Sequence, residues 1–191
     1  MIYQSTLMKS IMSVILIVTL IFSFNILSSA DNSYAASMKV KCSGITKGVI
    51  ADKYGRYGTM KDYVPTCSIP LKITNPPKGT KCYAVYMYDT DCDGENSKYF
   101  IHWIAVNYKS KTFAANASIS KKKSMKQGIN DYGKNGYGGP YPPVTHNYKI
   151  KVYALDSKVS LKNGFTYKEF QKAIKGKVLA TKTIKGKYKV K

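Results

Sequence analysis

Apolar residues in the C-terminal two thirds of the chain fall into runs of strand length, separated by polar turns. Lys81 to Asp89 reads KCYAVYMYD, and Tyr99 to Tyr108 reads YFIHWIAVNY. Both are rich in aromatic and β-branched side chains and predict buried strands. Asn147 to Asp156 predicts a third, with Tyr148, Ile150, Val152 and Ala154 on one face at period two. Val178 to Val190 returns to alternating strand character. Nearer the N-terminus, Val40, Ile45, Val49 and Ile50 alternate with lysines over Met38 to Tyr54 as short edge strands. Pro65 to Ile73 is extended, because each proline biases its predecessor away from helix. Asn75 to Gly79 is a turn. One helix is well marked: Thr166 and Glu169 form a capping box, Tyr167, Phe170, Ala173 and Ile174 an apolar stripe, and Gly176 a C-cap. Many strands and one late helix predict a mainly β fold, a sandwich with small helical additions.

Gly128 to Tyr148, GINDYGKNGYGGPYPPVTHNY, breaks the pattern. Its glycines and prolines exclude regular structure, while Tyr132, Tyr137, Tyr141 and Tyr148 make it too aromatic for a linker. A stiff, aromatic loop of this length predicts the wall of a pocket.

Composition adds charge and compartment. The 191 residues suit one domain, and Lys+Arg 31 against Asp+Glu 10 gives a net charge of +21. That balance favours acidic partners. The lysines are scattered, with the densest run at Lys121 to Lys123, which reads as a solubilising surface and not as a nucleic-acid footprint. Ile11 to Leu27 is almost wholly apolar, and Ser28-Ser29-Ala30 and Ser33-Tyr34-Ala35 fit a small-x-small cleavage rule. Residues 1–35 thus read as an export signal cut after Ala30 or Ala35, and residues 36–191 as the mature domain; an uncleaved N-terminal anchor is the other reading. Outside the cytosol, four cysteines favour two disulfides. In an extended strand Cys82 and Cys92 would lie roughly 30 Å apart, too far to bridge. A hairpin at Asn75 to Gly79 would bring Cys67 near Cys92, so the expected pairs are Cys67–Cys92 and Cys42–Cys82.

The chemistry-bearing residues are few. Asp89 and Asp91 end a strand at period two, His102 lies in the next strong strand, and His146 and Tyr148 end the Gly/Pro-rich loop. Their convergence would make a pocket for a small anion, with imidazole, phenol and backbone N–H donors. Two His and two Asp also suit a metal ion, and a bland reading leaves each as a satisfied structural side chain. An enzyme would need a nucleophile beside a histidine; Ser68 and Ser97 lie in no elbow pattern, and Gly133 to Gly136 is not a phosphate-binding P-loop.

Asp89-Thr90-Asp91, Ile101-His102-Trp103, Gly136-Tyr137-Gly138-Gly139-Pro140-Tyr141-Pro142-Pro143 with His146 and Tyr148, and Tyr153-Ala154-Leu155-Asp156 resemble, in order and spacing, the phosphatidylethanolamine-binding protein family in its bacterial and archaeal Raf-kinase-inhibitor-like branch. The resemblance runs from about Ile45 to the C-terminus. It implies an antiparallel β-sandwich of Greek-key type with a C-terminal helix. It also implies an anion pocket at one end, formed by Asp89, Asp91, His102, Pro143, His146 and Tyr148. Known relatives bind phosphorylated head groups or inhibit kinases or proteases, without shared catalysis. The resulting expectation is an exported, non-catalytic protein, without cofactor or metal, binding a phosphate-bearing or carboxylate ligand. A modulator of a kinase or protease acting through the pocket rim is the alternative, and a metal-dependent hydrolase the third. Thr90 stands where the family has the proline of DPD, and Cys92-Asp93-Gly94 where it has AP.

Overall fold

The computed structural model describes residues 37–95 and 97–191; the export signal expected over residues 1–35 lies outside them. The three apolar runs form the centre of the molecule. Cys82–Asp89 (β7), Ile101–Tyr108 (β8), His146–Leu155 (β11) and Val178–Tyr188 (β12) are the long strands. Short strands precede them: Lys39–Lys41 (β1), Ile45–Thr46 (β2), Val49–Ile50 (β3), Met60–Lys61 (β4), Val64–Pro65 (β5) and Leu71–Thr74 (β6). Thr112–Phe113 (β9) and Lys126–Gln127 (β10) complete the set. A seven-stranded sheet runs in the order β10-β8-β7-β11-β12-β3-β2, a three-stranded sheet in the order β1-β6-β9, and β4 pairs with β5. The fold is mainly β, as the periodicity predicts. The pairing is not purely antiparallel, because β3 runs parallel to β12.

The central strands are apolar at nearly every position because both faces of the sheet are covered. Tyr83, Val85 and Met87 of β7 and Tyr148, Ile150 and Val152 of β11 join Val40, Leu71, Ile73 and Phe113 of the three-stranded sheet in one cluster. Cys82, Ala84 and Tyr86 join Phe170 and Ile174 of the helix Tyr167–Ile174 (α2) in another. The capping box of α2 is present: Thr166 accepts from the Glu169 amide, and Glu169 accepts from the Thr166 amide at 2.7 Å.

The sequence expectation of two disulfides is corrected: Cys42, Cys67, Cys82 and Cys92 are all free thiols. The supposed hairpin at Asn75 to Gly79 does not exist. β6 pairs with β1 and β9, while β7 pairs with β8 and β11, so the turn carries the chain from one sheet to the other. Cys67 is therefore not threaded alongside β7. Cys82 belongs to the helix-side cluster, whereas Cys42 packs against the opposite one, so the sheet separates them.

A short helix, Ala117–Ser120 (α1), went unpredicted, and it holds a buried polar knot. Gln127 Oε1 accepts from Trp103 Nε1 at 2.9 Å and from Ser118 Oγ at 2.7 Å, and its Nε2 donates to the Ser118 carbonyl at 2.9 Å. Ser118 Oγ also accepts from the Tyr137 amide at 2.9 Å. The knot thus pins the Gly/Pro-rich loop to the sheet. Gly136 is required there: it has φ 102°, and a Cβ would lie 2.7 Å from Ser118 Oγ. Gln127→Leu strands several buried polar groups at once and is expected to cost about 3 kcal/mol, read as a lowered urea midpoint at unchanged slope.

Candidate functional site

The loop of residues 128–148 and the ends of β7, β8 and β11 enclose a cleft of about 140 Å³, lined by Asp89, Cys92, Phe100, His102, Tyr132, Tyr141, Pro142, Pro143, His146 and Tyr148. Strand register assembles it. Tyr148 of β11 stands opposite Asp89 of β7, and His146 lies two residues further along the same strand. His102 arrives by an irregularity. Met87 pairs with Trp103 but Tyr88 pairs with Ile101, so His102 is the extra residue of a β-bulge. The bulge interrupts alternation: Ile101 and Ile104 pack on the helix side, Trp103 and Ala105 on the other.

Asp89 is 3% exposed, and both of its carboxylate oxygens are engaged. Oδ1 accepts the Asp91 amide at 2.8 Å, and Oδ2 accepts from His146 Nδ1 at 2.7 Å. The His146 ring is therefore oriented, with Nε2 left as an acceptor when the ring is neutral and a donor when it is protonated. His102 is held differently. Its Nδ1 lies 2.6 Å from the Gly138 carbonyl, which can only accept, so Nδ1 carries the proton. Burial pulls its pKa down to about 4, against the opposing pull of the Gly138 carbonyl and Asp89. At neutral pH His102 is an uncharged ring whose Nε2 is an acceptor.

Tyr148 is 1% exposed, and its hydroxyl has no hydrogen-bond partner among the described residues. Burial, and then the neighbouring Asp89 carboxylate, raise its pKa far above that of a free phenol, so the O–H proton stays in place. Its ring meets His102 edge-on at 5.2 Å. The rim is fixed by Arg56, which donates to the Pro142 carbonyl at 3.0 Å and lies over the Tyr141 ring at 4.7 Å.

Of the six residues singled out in the sequence, Asp89, His102, Pro143, His146 and Tyr148 share the cleft. Asp91 does not line it. Asp91 is exposed and its Oδ2 accepts the Asn147 amide at 2.9 Å and the Asn147 side chain at 2.7 Å, clamping the start of β11. The resemblance placed it in the pocket; the imidazoles are instead held by Asp89 for His146 and by a backbone carbonyl for His102. Sequence reasoning missed Phe100 and Cys92 in the lining, although Phe100 stands two residues before His102, whereas Tyr132 and Tyr141 belong to the loop predicted as a wall. No group of three His, Cys, Asp or Glu side chains suited to a metal ion occurs among the described residues.

The fold has counterparts. The chain belongs to the phosphatidylethanolamine-binding protein family, whose model matches residues 43–189. A UPF0098 protein of Pyrococcus horikoshii is 31% identical over 190 residues, covering 95% of this chain and 90% of its own. Two crystal structures are similar. A homologue of the family from Chlamydia trachomatis has a TM-score of 0.70 at 27% identity, over 81% of this chain and 99% of its own. E. coli YbcL, described as a member of the mammalian family, has a TM-score of 0.68 at 26% identity, over 82% of this chain and 100% of its own.

The depressed pKa of His102 has a stability consequence. Between pH 6.5 and about 4 the unfolded chain takes up a proton that the folded chain refuses, so stability falls as pH drops through that window. The loss should approach about 3 kcal/mol. In His102→Asn, whose amide can still donate to Gly138, urea midpoints at pH 7 and pH 4.5 should differ by much less than in the wild type. An equal difference would mean that another group titrates.

Proposed function

We propose that the cleft binds the phosphate-bearing head of a small ligand, without turning it over. The observation that carries this reading is the Tyr148 hydroxyl: a buried donor, kept protonated, beside the Asp89 carboxylate but without a well-formed hydrogen bond, on a side chain that lines the cleft. Leaving such a group unpaired costs about 1–3 kcal/mol, which a ligand oxygen would recover. His146, oriented by Asp89, supplies a second donor when protonated. His102 supplies an acceptor. A phosphate monoester carrying one proton matches such a mixed set, whereas a carboxylate offers acceptors alone. Size points the same way. Pockets for drug-sized ligands hold roughly 300–1,000 Å³, so a cleft of about 140 Å³ takes a head group and leaves any remainder outside. No side chain of the cleft is placed as an activated nucleophile: Cys92, the nearest candidate, has its thiol pKa raised by burial and then by Asp89.

The rim favours a second reading, in which a protein partner covers the cleft. Tyr141 and Val144 stand exposed beside it, at 47% and 63%.

An extracytoplasmic location is proposed on the apolar run of residues 11–27 and the small residues that follow it. If the reading is right, N-terminal sequencing of the protein from culture medium or cell envelope begins at Asp31 or Ala36; a start at Met1 in the cytosol refutes it.

For ligand binding, calorimetry with inorganic phosphate, O-phosphorylethanolamine and acetate is the direct test. The two phosphate compounds should bind more tightly than acetate. Tyr148→Phe, which removes one donor and little else, should weaken phosphate binding about tenfold, and His146→Ala should weaken it as well. Unchanged affinity in Tyr148→Phe would overturn the assignment.

A further inference from the structure

A second concavity of the described residues is an open groove of about 800 Å³, larger than the cleft and lined by different residues. Lysines from four separate segments line it: Lys61 from β4, Lys122 and Lys123 from the turn after α1, Lys126 from β10, and Lys134 from the Gly/Pro-rich loop. Asp62 is the one carboxylate in the lining, and it is engaged with Lys134 at 3.5 Å. The other four ammonium groups have no salt bridge among the described residues. All five lysine side chains are exposed, on a chain of net charge +21.

Such a concentration of unneutralised charge in a concave site attracts anions more strongly than the same charges spread over a flat surface. The groove is large and open, with five lysines around it, so it suits a chain with repeated charges better than a single ion. Its one aromatic lining residue, Tyr137, is 4% exposed and donates its hydroxyl to the Tyr54 carbonyl at 2.7 Å. No ring is free to stack on a base, which single-stranded nucleic acid ordinarily requires. None of these side chains lines the smaller cleft, so the two sites are independent.

We propose that this groove binds an extended polyanion without aromatic bases, a chain of phosphate or sulfate groups on an inorganic, polyol or sugar backbone. Binding of short-chain inorganic polyphosphate and of a heparin fragment tests it, measured by fluorescence anisotropy across a salt series. Lys122→Ala/Lys123→Ala/Lys126→Ala should weaken binding of at least one of them about tenfold and lower the slope of log K against log salt by about 2. The control is Lys182→Ala/Lys185→Ala/Lys187→Ala, three exposed lysines of β12, which removes the same charge elsewhere. It should lose much less. Circular dichroism checks that both variants keep the fold. Comparison of the two polyanions distinguishes phosphate from sulfate recognition. Equal losses in the two triple variants would reduce the effect to diffuse charge and overturn the proposal, as would absence of binding to both polyanions. Tighter binding of oligo-dT, or of phosphatidylglycerol vesicles, than of either polyanion would overturn it in favour of nucleic acid or membrane.

Discussion

A buried carboxylate governs the geometry of this protein's cleft. Asp89 ends the central strand β7, and a charge in that position is tolerated only if its oxygens are fully served. The two donors that serve it come from different places: the Asp91 amide, two residues on, and the His146 ring, 57 residues on. Meeting that need bends the chain after β7 and draws the start of β11 against it. Asp91 and Thr90 then close the same junction from outside, through the Asn147 amide and carbonyl. The carboxylate, the histidine and the turn form one interdependent unit. Tyr148 lies inside it, its hydroxyl beside Asp89 and without a well-formed hydrogen bond.

The Gly/Pro-rich loop is the second constraint. Beyond one isolated bridge between Ile129 and Asn135 it has no ladder of its own, so its later backbone groups are satisfied one by one: Gly138 by His102, Gly139 by Pro65, Tyr137 by Ser118. These ties run to β8, to β5 and to α1, and they hold an irregular segment as firmly as a strand. One loop thereby walls two different concavities. Its Tyr132, Tyr141, Pro142 and Pro143 face the small cleft, and its Lys134, Asn135 and Tyr137 face the lysine-lined groove. The physical character of the two is opposite. The small cleft works by a few oriented, buried groups, and the groove by exposed charge with little orientation. A head group and a long polyanion are the ligands each kind of chemistry recognises best.

Membership of the phosphatidylethanolamine-binding protein family fits the first of these and is silent on the second. Two departures from the family pattern fall on the turn that carries Asp89. Thr90 uses the freedom that a proline would deny: its amide and hydroxyl both reach the Asn147 carbonyl, at 2.9 and 3.1 Å. Cys92 brings a thiol, unpaired, to the edge of the cleft.

The sequence by itself determined the long strands, the one long helix and its cap, and five of the ten residues that line the cleft. Those features are written locally: period-two alternation, unbroken apolar runs, a Thr and a Glu three residues apart, and a loop that no regular structure can enter. The tertiary structure alone decided which strand lies beside which. That choice removed the expected hairpin after Ile73, and with it both disulfides. It also turned β3 parallel to β12 and set Asp91 to guard a strand end instead of a pocket. A bulge at His102 shifts register by a single residue and leaves no mark on composition, because Ile, His and Trp would suit a regular strand equally well. The gathering of Lys61, Lys126 and Lys134 around Lys122 and Lys123 was invisible for the same reason. Charges carry no periodicity that reveals their neighbours, and only the folding of distant segments onto one another brings scattered lysines into a single groove.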